Sequence, residues 1–516
     1  QLFKYTAAIH FNCAIGHFTD GVEGRVFLAK SNFEASKYCE SVSAFSDARG
    51  FVRKGLNILG DGEEKWWVDF ELACAMTESL AKLEFTLGDV NAFRCANRDI
   101  LDRTKSEKVK ASALLREIKA LTSADDDDAN VILSGKKILS ELGIKVPLVI
   151  TPFHFLSKLK RVRRIFDSKG DSELLSLPRM HSDLTCVLAA IMSTSFYFMR
   201  HGHYVAGLYT DLLAIEFTLA NGLFAYSTIT FLNFGRAEIL LGQEERAYRM
   251  LRMASQLCSL APAHLAAFVH FLCALLRQGE RFEMKKQFFF TPEFLNNFLE
   301  GGNVVMPIMF GCFSFFVRQW TGEHLESLER SIRVIHGRLN ALDQRVMITY
   351  FQPLLQFVLN LRNEDERRWE KLVVLNGECM NEAEHSRRLP FMHQFSDFNF
   401  NFSKMVLAYM FGFYKEAEQI NETVHLRLVQ RKSVLAFPIY LFRSLTFFAL
   451  YEVTGCRRYL RKARQTRKLF QSKGNPNATP YLRVLEAVEL SLKPNISMSK
   501  VCTAFDGAIS NLKQES

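Results

Sequence analysis

The stretch from His181 to Cys258, HSDLTCVLAAIMSTSFYFMRHGHYVAGLYTDLLAIEFTLANGLFAYSTITFLNFGRAEILLGQEERAYRMLRMASQLC, decides the fold. It reads as four consecutive helices paired into two hairpins. Asp183 is placed to cap the first. Leu184, Val187, Leu188, Ile191, Ser195 and Phe198 follow at spacings of three and four, which put them on one helical face. His201-Gly202-His203 breaks that helix. Val205, Leu208, Leu212, Ile215 and Leu219 mark the second, which Asn221-Gly222 ends. The third runs from about Phe224 to Leu241 and closes at Gly242-Gln243. Ala247, Met250, Leu251, Ala254, Leu257 and Cys258 mark the fourth. Each stripe has to be buried against a neighbour. Helix, glycine turn and helix in repetition predict an all-α fold, an α-solenoid of degenerate tetratricopeptide-like (TPR-like) helical hairpins.

The same turn signal recurs downstream. It falls at Gly202, Gly242, Gly279 and Gly322, and again at Gly412 and Gly455. The interval from Gly322 to Gly412 leaves room for two more units around Asn363-Glu364-Asp365. The period lies between tetratricopeptide and armadillo lengths. Upstream, Ala44 to Leu59 and Trp66 to Leu87 read as helices stopped by Gly60-Asp61-Gly62 and by Gly88-Asp89. Asn91 to Leu101 is the return helix, and Val109 to Leu121 with Ala129 to Leu142 predicts another hairpin. Gly143 and Pro147 end it. Prolines at 152 and 178 then bracket a basic helix in a less regular connector. Gly474-Asn475-Pro476-Asn477 is the last clear break. The expected division is residues 1–147 (helical hairpins), 148–180 (connector), 181–473 (TPR-like repeats) and 474–516 (closing helices).

Composition fits this reading. The chain has 516 residues, 48% of them hydrophobic, with only 12 prolines, and few runs alternate as strands do. The net charge of +10 accommodates an acidic partner without demanding one. The 11 cysteines include no CxxC pair, and Cys74, Cys258 and Cys273 fall on apolar helical faces. They read as reduced, buried thiols, which points to the cytoplasm. No membrane span is expected. The uncharged run from Phe217 to Gly235 is interrupted by Asn221-Gly222 and Asn233. The sequence opens at Gln1 inside a helical pattern, so a longer parent protein is expected.

Nothing in the sequence nominates a catalytic, cofactor-binding or metal-binding residue. Asp125 to Asp128 precedes Val131 and reads as an acidic helix start rather than a cation site. Ser134-Gly135-Lys136-Lys137 lacks the first glycine and the final Ser or Thr of a phosphate loop, and it sits in a helical pattern. His201 and His203 have no further ligand at metal spacing and read as a turn. Two basic clusters stand out. One is Lys158, Lys160, Arg161, Arg163 and Arg164, and the other spans Arg457 to Lys468. Either is a phosphate surface or a solvated helix face, and the lack of interleaved aromatics argues against nucleic acid. Phe288 to Phe290 and Phe395, Phe398, Phe400 and Phe402 are assigned to core packing.

Ala44 to Leu59, Trp66 to Asp89, Ile138 to Pro147, Leu177 to Asp183, Tyr209 to Glu216, Phe234 to Arg236 and Gly242 to Ala247 succeed one another in a telling order. In that order and spacing the chain resembles the TPR-like helical region of large multidomain signalling ATPases. Those proteins carry an AAA or STAND-type NTPase similar to origin-recognition ATPases, often with protein-kinase-like, GAF and histidine kinase domains. The resemblance implies a regulatory, sensor and interaction role in signal transduction. The partner would be a protein or the adjoining NTPase or kinase domain, and ATP and magnesium would be handled in that domain. It transfers no catalytic residue, so the isolated chain is expected to hydrolyse no ATP. The alternative is a free-standing helical adaptor or scaffold without an attached ATPase.

Overall fold

The computed structural model describes residues 2–17, 21–123, 128–147, 149–276, 294–297, 305–320, 322–342, 348–363, 368–388, 394–424, 436–470 and 478–515. Among them there is no strand, only an isolated parallel bridge between Arg179 and Leu223. The fold is all-α. The helices are α1 Leu2–Cys13, α2 Val22–Ser41, α3 Phe45–Leu59, α4 Glu64–Val68, α5 Phe70–Thr86, α6 Val90–Arg103, α7 Glu107–Ser123 and α8 Asp128–Glu141. Next come α9 Pro152–Asp167, α10 Asp171–Leu175, α11 Ser182–Arg200, α12 Tyr204–Asn221, α13 Ser227–Leu240, α14 Glu244–Leu257 and α15 Ala263–Leu276.

The four helices expected between His181 and Cys258 are α11 to α14, paired as two antiparallel hairpins. Turn glycines 202, 242, 322, 412 and 455 all hold positive φ, between +67° and +84°. Gly279 lies outside the described residues. Two backbone bonds close several of these tight turns. At Gly88 they are Asp89 N to Glu84 O, 3.0 Å, and Gly88 N to Phe85 O, 3.1 Å. The same pair of bonds recurs around Gly143, Gly202, Gly242 and Gly412, satisfying carbonyls at each helix end.

Ser43 occupies this position between α2 and α3, with φ +59° and the same two bonds. A side chain there sits against the steric preference of L-residues. Ser43→Gly is therefore expected to relieve about 1–2 kcal/mol of left-handed strain, offset by roughly 0.5–1 kcal/mol of chain entropy. A small rise in the denaturation midpoint checks this, and a fall contradicts it.

Small residues let the hairpin helices approach. Seven residues before the turn glycine and five after it stand Ser195 with Gly207, and Gly235 with Ala247. Ser195 Oγ lies 2.9 Å from Gly207 O, and a Cβ on Gly235 would lie 3.2 Å from Ala247 O. Ser36 and Ala48 hold the equivalent places around Ser43, both fully buried.

Buried carboxylates fix one hairpin against the next. Asp211 of α12 accepts from Ser195 Oγ of α11 at 2.6 Å, and from Asn233 and Arg236 of α13 at 2.8 Å each. Burial pushes its carboxyl up, while Arg236 and the two neutral donors pull it back down. Glu238 of α13 takes a bidentate pair from Arg163 of α9, at 2.8 and 2.5 Å. Glu84 of α5 meets Arg49 and Arg53 of α3. These three carboxylate side chains are wholly buried.

Several expectations are corrected. Asp183 sits in the first turn of α11, and the cap is His181, whose ring accepts from Asp183 N. The helix expected from Trp66 to Leu87 is two, because Asp69 leaves helical backbone and caps α5 by accepting from Leu72 N at 3.0 Å. Helix α7 packs mainly on α11 rather than forming a hairpin with α8. Between Gly322 and Gly412 the described helices are Leu325–Ala341, Gln352–Arg362, Trp369–Leu372, Glu382–Arg388 and Gln394–Met410. A non-helical loop after Leu372 is latched onto the helix Gln352–Arg362. Gln352 donates to Cys379 O, and Asn360 donates to Leu372 O and Val374 O.

The segment before α11 is part of the packing. Phe155, Leu159, Val162 and Phe166 on α9 are buried in the main core, and α9 lies on α12. Leu223 N donates to Pro178 O at 2.7 Å. Gly222 (φ +98°) permits that approach, since a Cβ there would lie 2.2 Å from Pro178 O. The chain also folds back on itself. Arg338 in the helix Leu325–Ala341 donates to Ser43 O at 3.1 Å and lies over the Phe45 ring, and the helix Val305–Trp320 touches α7.

Candidate functional site

A candidate site is a groove across three helices, α2, α5 and α7, with a cavity of about 360 Å³. Helix α2 contributes Phe33, Lys37 and Glu40; α5 contributes Glu78, Ser79, Lys82 and Phe85; α7 contributes Ser112, Leu115, Arg116 and Lys119. Spacings of three and four put each set on one stripe of its helix. The first two sets also stand in register with their turns. Lys37 precedes Ser43 by six residues, as Lys82 precedes Gly88, and Glu40 matches Phe85 three residues before the turn. Positions at equal distances before the two turns therefore line one surface.

The charged groups in the groove are held in place. Glu40 accepts from Lys82 Nζ at 2.7 Å and from Ser79 Oγ at 3.1 Å. Arg116 reaches Glu78 with two nitrogens, at 3.1 and 3.2 Å, and donates to Ser112 Oγ at 2.8 Å and to Asn97 Oδ1 of α6 at 3.1 Å. Burial pulls the Arg116 guanidinium below its ordinary range, against the opposing pull of Glu78. Lys119 is pushed down to about 8, first by burial and then by the charges of Arg116 and Lys82. Phe85 is buried, and Phe33 and Leu115 are half-buried beside it. An apolar floor beside fixed cations suits a ligand with an apolar body and an acidic group.

Two other cavities are less suited. One, of about 420 Å³, lies between Gln352 and the latched loop. The other lies where Ala341 and Leu342 meet Ser46, Arg49 and the Gly88 turn, and marks the fold-back contact.

The residues singled out from sequence lie elsewhere. His201 ends α11 and His203 precedes α12, so the pair is a turn. Among the described residues no group of three His, Cys, Asp or Glu is placed to hold a metal ion. Asp125 to Asp127 and Phe288 to Phe290 lie outside the described residues. Gly135 lies inside α8 against Phe198, not on a phosphate loop. The first basic cluster is largely tied down, with Lys158 and Arg161 on Glu216 and Arg163 on Glu238. In the second, Lys462 meets Glu418, and Arg464 and Arg467 meet Glu489, while Arg457, Arg458, Arg461 and Lys468 are exposed. Phe398, Phe400 and Phe402 are buried in the core. All 11 cysteines are free thiols. Ser182–Met199 is long and apolar enough to cross a membrane, and half of it is buried inside the protein.

The groove residues were not nominated from sequence. The signal was available in the register of Lys37 and Lys82, but a search for glycine turns passes over Ser43. The chain matches no family model, no curated protein and no solved structure.

Proposed function

We propose that this chain is the helical-repeat regulatory and interaction domain of a larger ATPase or kinase signalling protein. In this reading it is an α-solenoid of degenerate TPR-like hairpins and is itself non-catalytic. Its α2–α5–α7 groove holds a segment of a protein partner. Supporting the repeat are the matching turns at Gly88, Gly202, Gly242 and Gly412, and the small residues at equal offsets around Gly202, Gly242 and Ser43. The observation that carries the binding role is the groove itself, where equivalent positions of successive units meet on one surface. The carboxylate latches make that surface rigid, which lowers the entropic cost of binding. Occupancy regulates a neighbouring domain only if the ligand prefers one of that domain's states.

Peptides selected from a random display library against the purified chain test the reading. Selected peptides are expected to lose at least tenfold in affinity to Phe85→Glu, which places a charge on the groove floor. Binding that ignores this substitution would place the interaction surface elsewhere.

A further inference from the structure

The helix Arg457–Phe470 carries seven basic residues and no acidic one. We propose that its exposed face docks the chain onto an anionic membrane surface, with the cations at the lipid headgroups and Val453 and Leu469 at the edge of the acyl layer. The inference is independent of the groove.

The helix is fixed to the protein by its other side. Ala463 is buried, Leu460 is half-buried, and Lys462 reaches Glu418 of the helix Tyr414–Thr423 at 3.3 Å. Arg464 and Arg467 both reach Glu489 of the helix Thr479–Ser491. The other four cations, Arg457, Arg458, Arg461 and Lys468, are exposed and make no ion pair among the described residues. Arg457, Arg461 and Lys468 follow one another at intervals of four and seven residues. That spacing sets them on one stripe about 16 Å long.

The chemistry of this face selects its partner. Single-stranded nucleic acid would need an aromatic ring to stack on its bases. Tyr459 is committed elsewhere, with its hydroxyl donating to Glu418 at 3.0 Å and its ring stacked with Phe447. A protein partner is aligned by charges of both signs, whereas this helix presents one sign only. Aliphatic side chains stand at both ends of the stripe. Val453 is 71% exposed just before the Gly455 turn, and Leu469 is 55% exposed, eight residues after Arg461 and so on its side of the helix. Cations flanked by exposed aliphatics suit a bilayer interface, where charged heads stay in water and apolar tips sink below the headgroups. The apolar side of the helix is already held by the protein, so the attachment is peripheral and salt-sensitive. Each basic residue at an anionic bilayer contributes roughly fivefold to binding.

Co-sedimentation of the full chain with vesicles of phosphatidylcholine alone, and of phosphatidylcholine with phosphatidylserine, tests this. Binding is expected only to the vesicles that contain phosphatidylserine, and about 1 M salt should release it. The triple change Arg457→Gln, Arg461→Gln and Lys468→Gln should keep the helicity of the parent and lose on the order of a hundredfold in binding. Lys54, Arg94 and Arg98 are exposed cations on α3 and α6. Changing those three to Gln removes the same charge and should leave binding close to that of the parent. Equal losses in the two triple variants would assign the attraction to net charge and overturn the proposal. So would equal binding to both kinds of vesicle, or vesicle binding that ignores the changes at 457, 461 and 468. A single-stranded oligonucleotide or a polyglutamate peptide that binds through these residues, when the vesicles do not, would give the face to a soluble polyanion and overturn it as well.

Discussion

Asp211→Ala is expected to destabilise the chain by about 3–5 kcal/mol, because it strands the Arg236 guanidinium without its carboxylate. Asp211 is buried, and its partners come from α11 and α13 as well as its own position on α12. One side chain thus joins both hairpins of the stretch His181 to Cys258. Asp211→Asn keeps hydrogen-bonding capacity and should lose less. The double change Asp211→Leu with Arg236→Met removes both charges, and a buried pair replaced in this way is often neutral to stability. Chemical denaturation of the three variants separates the cases. A loss below about 1 kcal/mol in Asp211→Ala would show that the pair is not the joint between hairpins.

Phe234→Ala is the second large effect, at about 3–5 kcal/mol for a truncated core aromatic. Phe234 is wholly buried on α13, and its ring lies 5.0 Å from that of Phe166 on α9. Phe166 also meets Phe231 edge-on at 5.6 Å. The cavity left by the substitution therefore opens between α9 and α13. Limited proteolysis should show new cleavage near α9 before the rest of the chain is cut. Uniform loss of structure, with α9 no more susceptible than α11, would contradict this placement of the joint.

Helices were legible in the sequence wherever a stripe of spacing three and four met a glycine. That condition holds for α11 to α14, and their ends fall within a few residues of expectation. It fails where a local polar residue outcompetes the stripe. Asp69 breaks an unbroken apolar pattern because its carboxylate satisfies an amide that a continuous helix would not need satisfied. His181 takes the cap expected of Asp183 through a ring nitrogen, a less common capping group. The latched loop after Gln352–Arg362 depends on side chains at Gln352 and Asn360 meeting distant carbonyls, which no periodicity encodes. The fold-back of Arg338 onto Ser43 is equally non-local.

The groove was hidden for a different reason. Its cations are spread over α5 and α7, far apart in sequence, whereas the dense clusters at residues 158–164 and 457–468 attract attention. Many members of those clusters prove to be paired with Glu216, Glu238, Glu418 and Glu489. Clustering along a helix marks a charged face.

Hydrogen–deuterium exchange of the chain, with and without a peptide selected against it, tests the central claim most directly. A ligand held across α2, α5 and α7 should slow amide exchange in those three helices together. Protection confined to the loop beside Gln352–Arg362, or to the exposed face of the helix Arg457–Phe470, would contradict it.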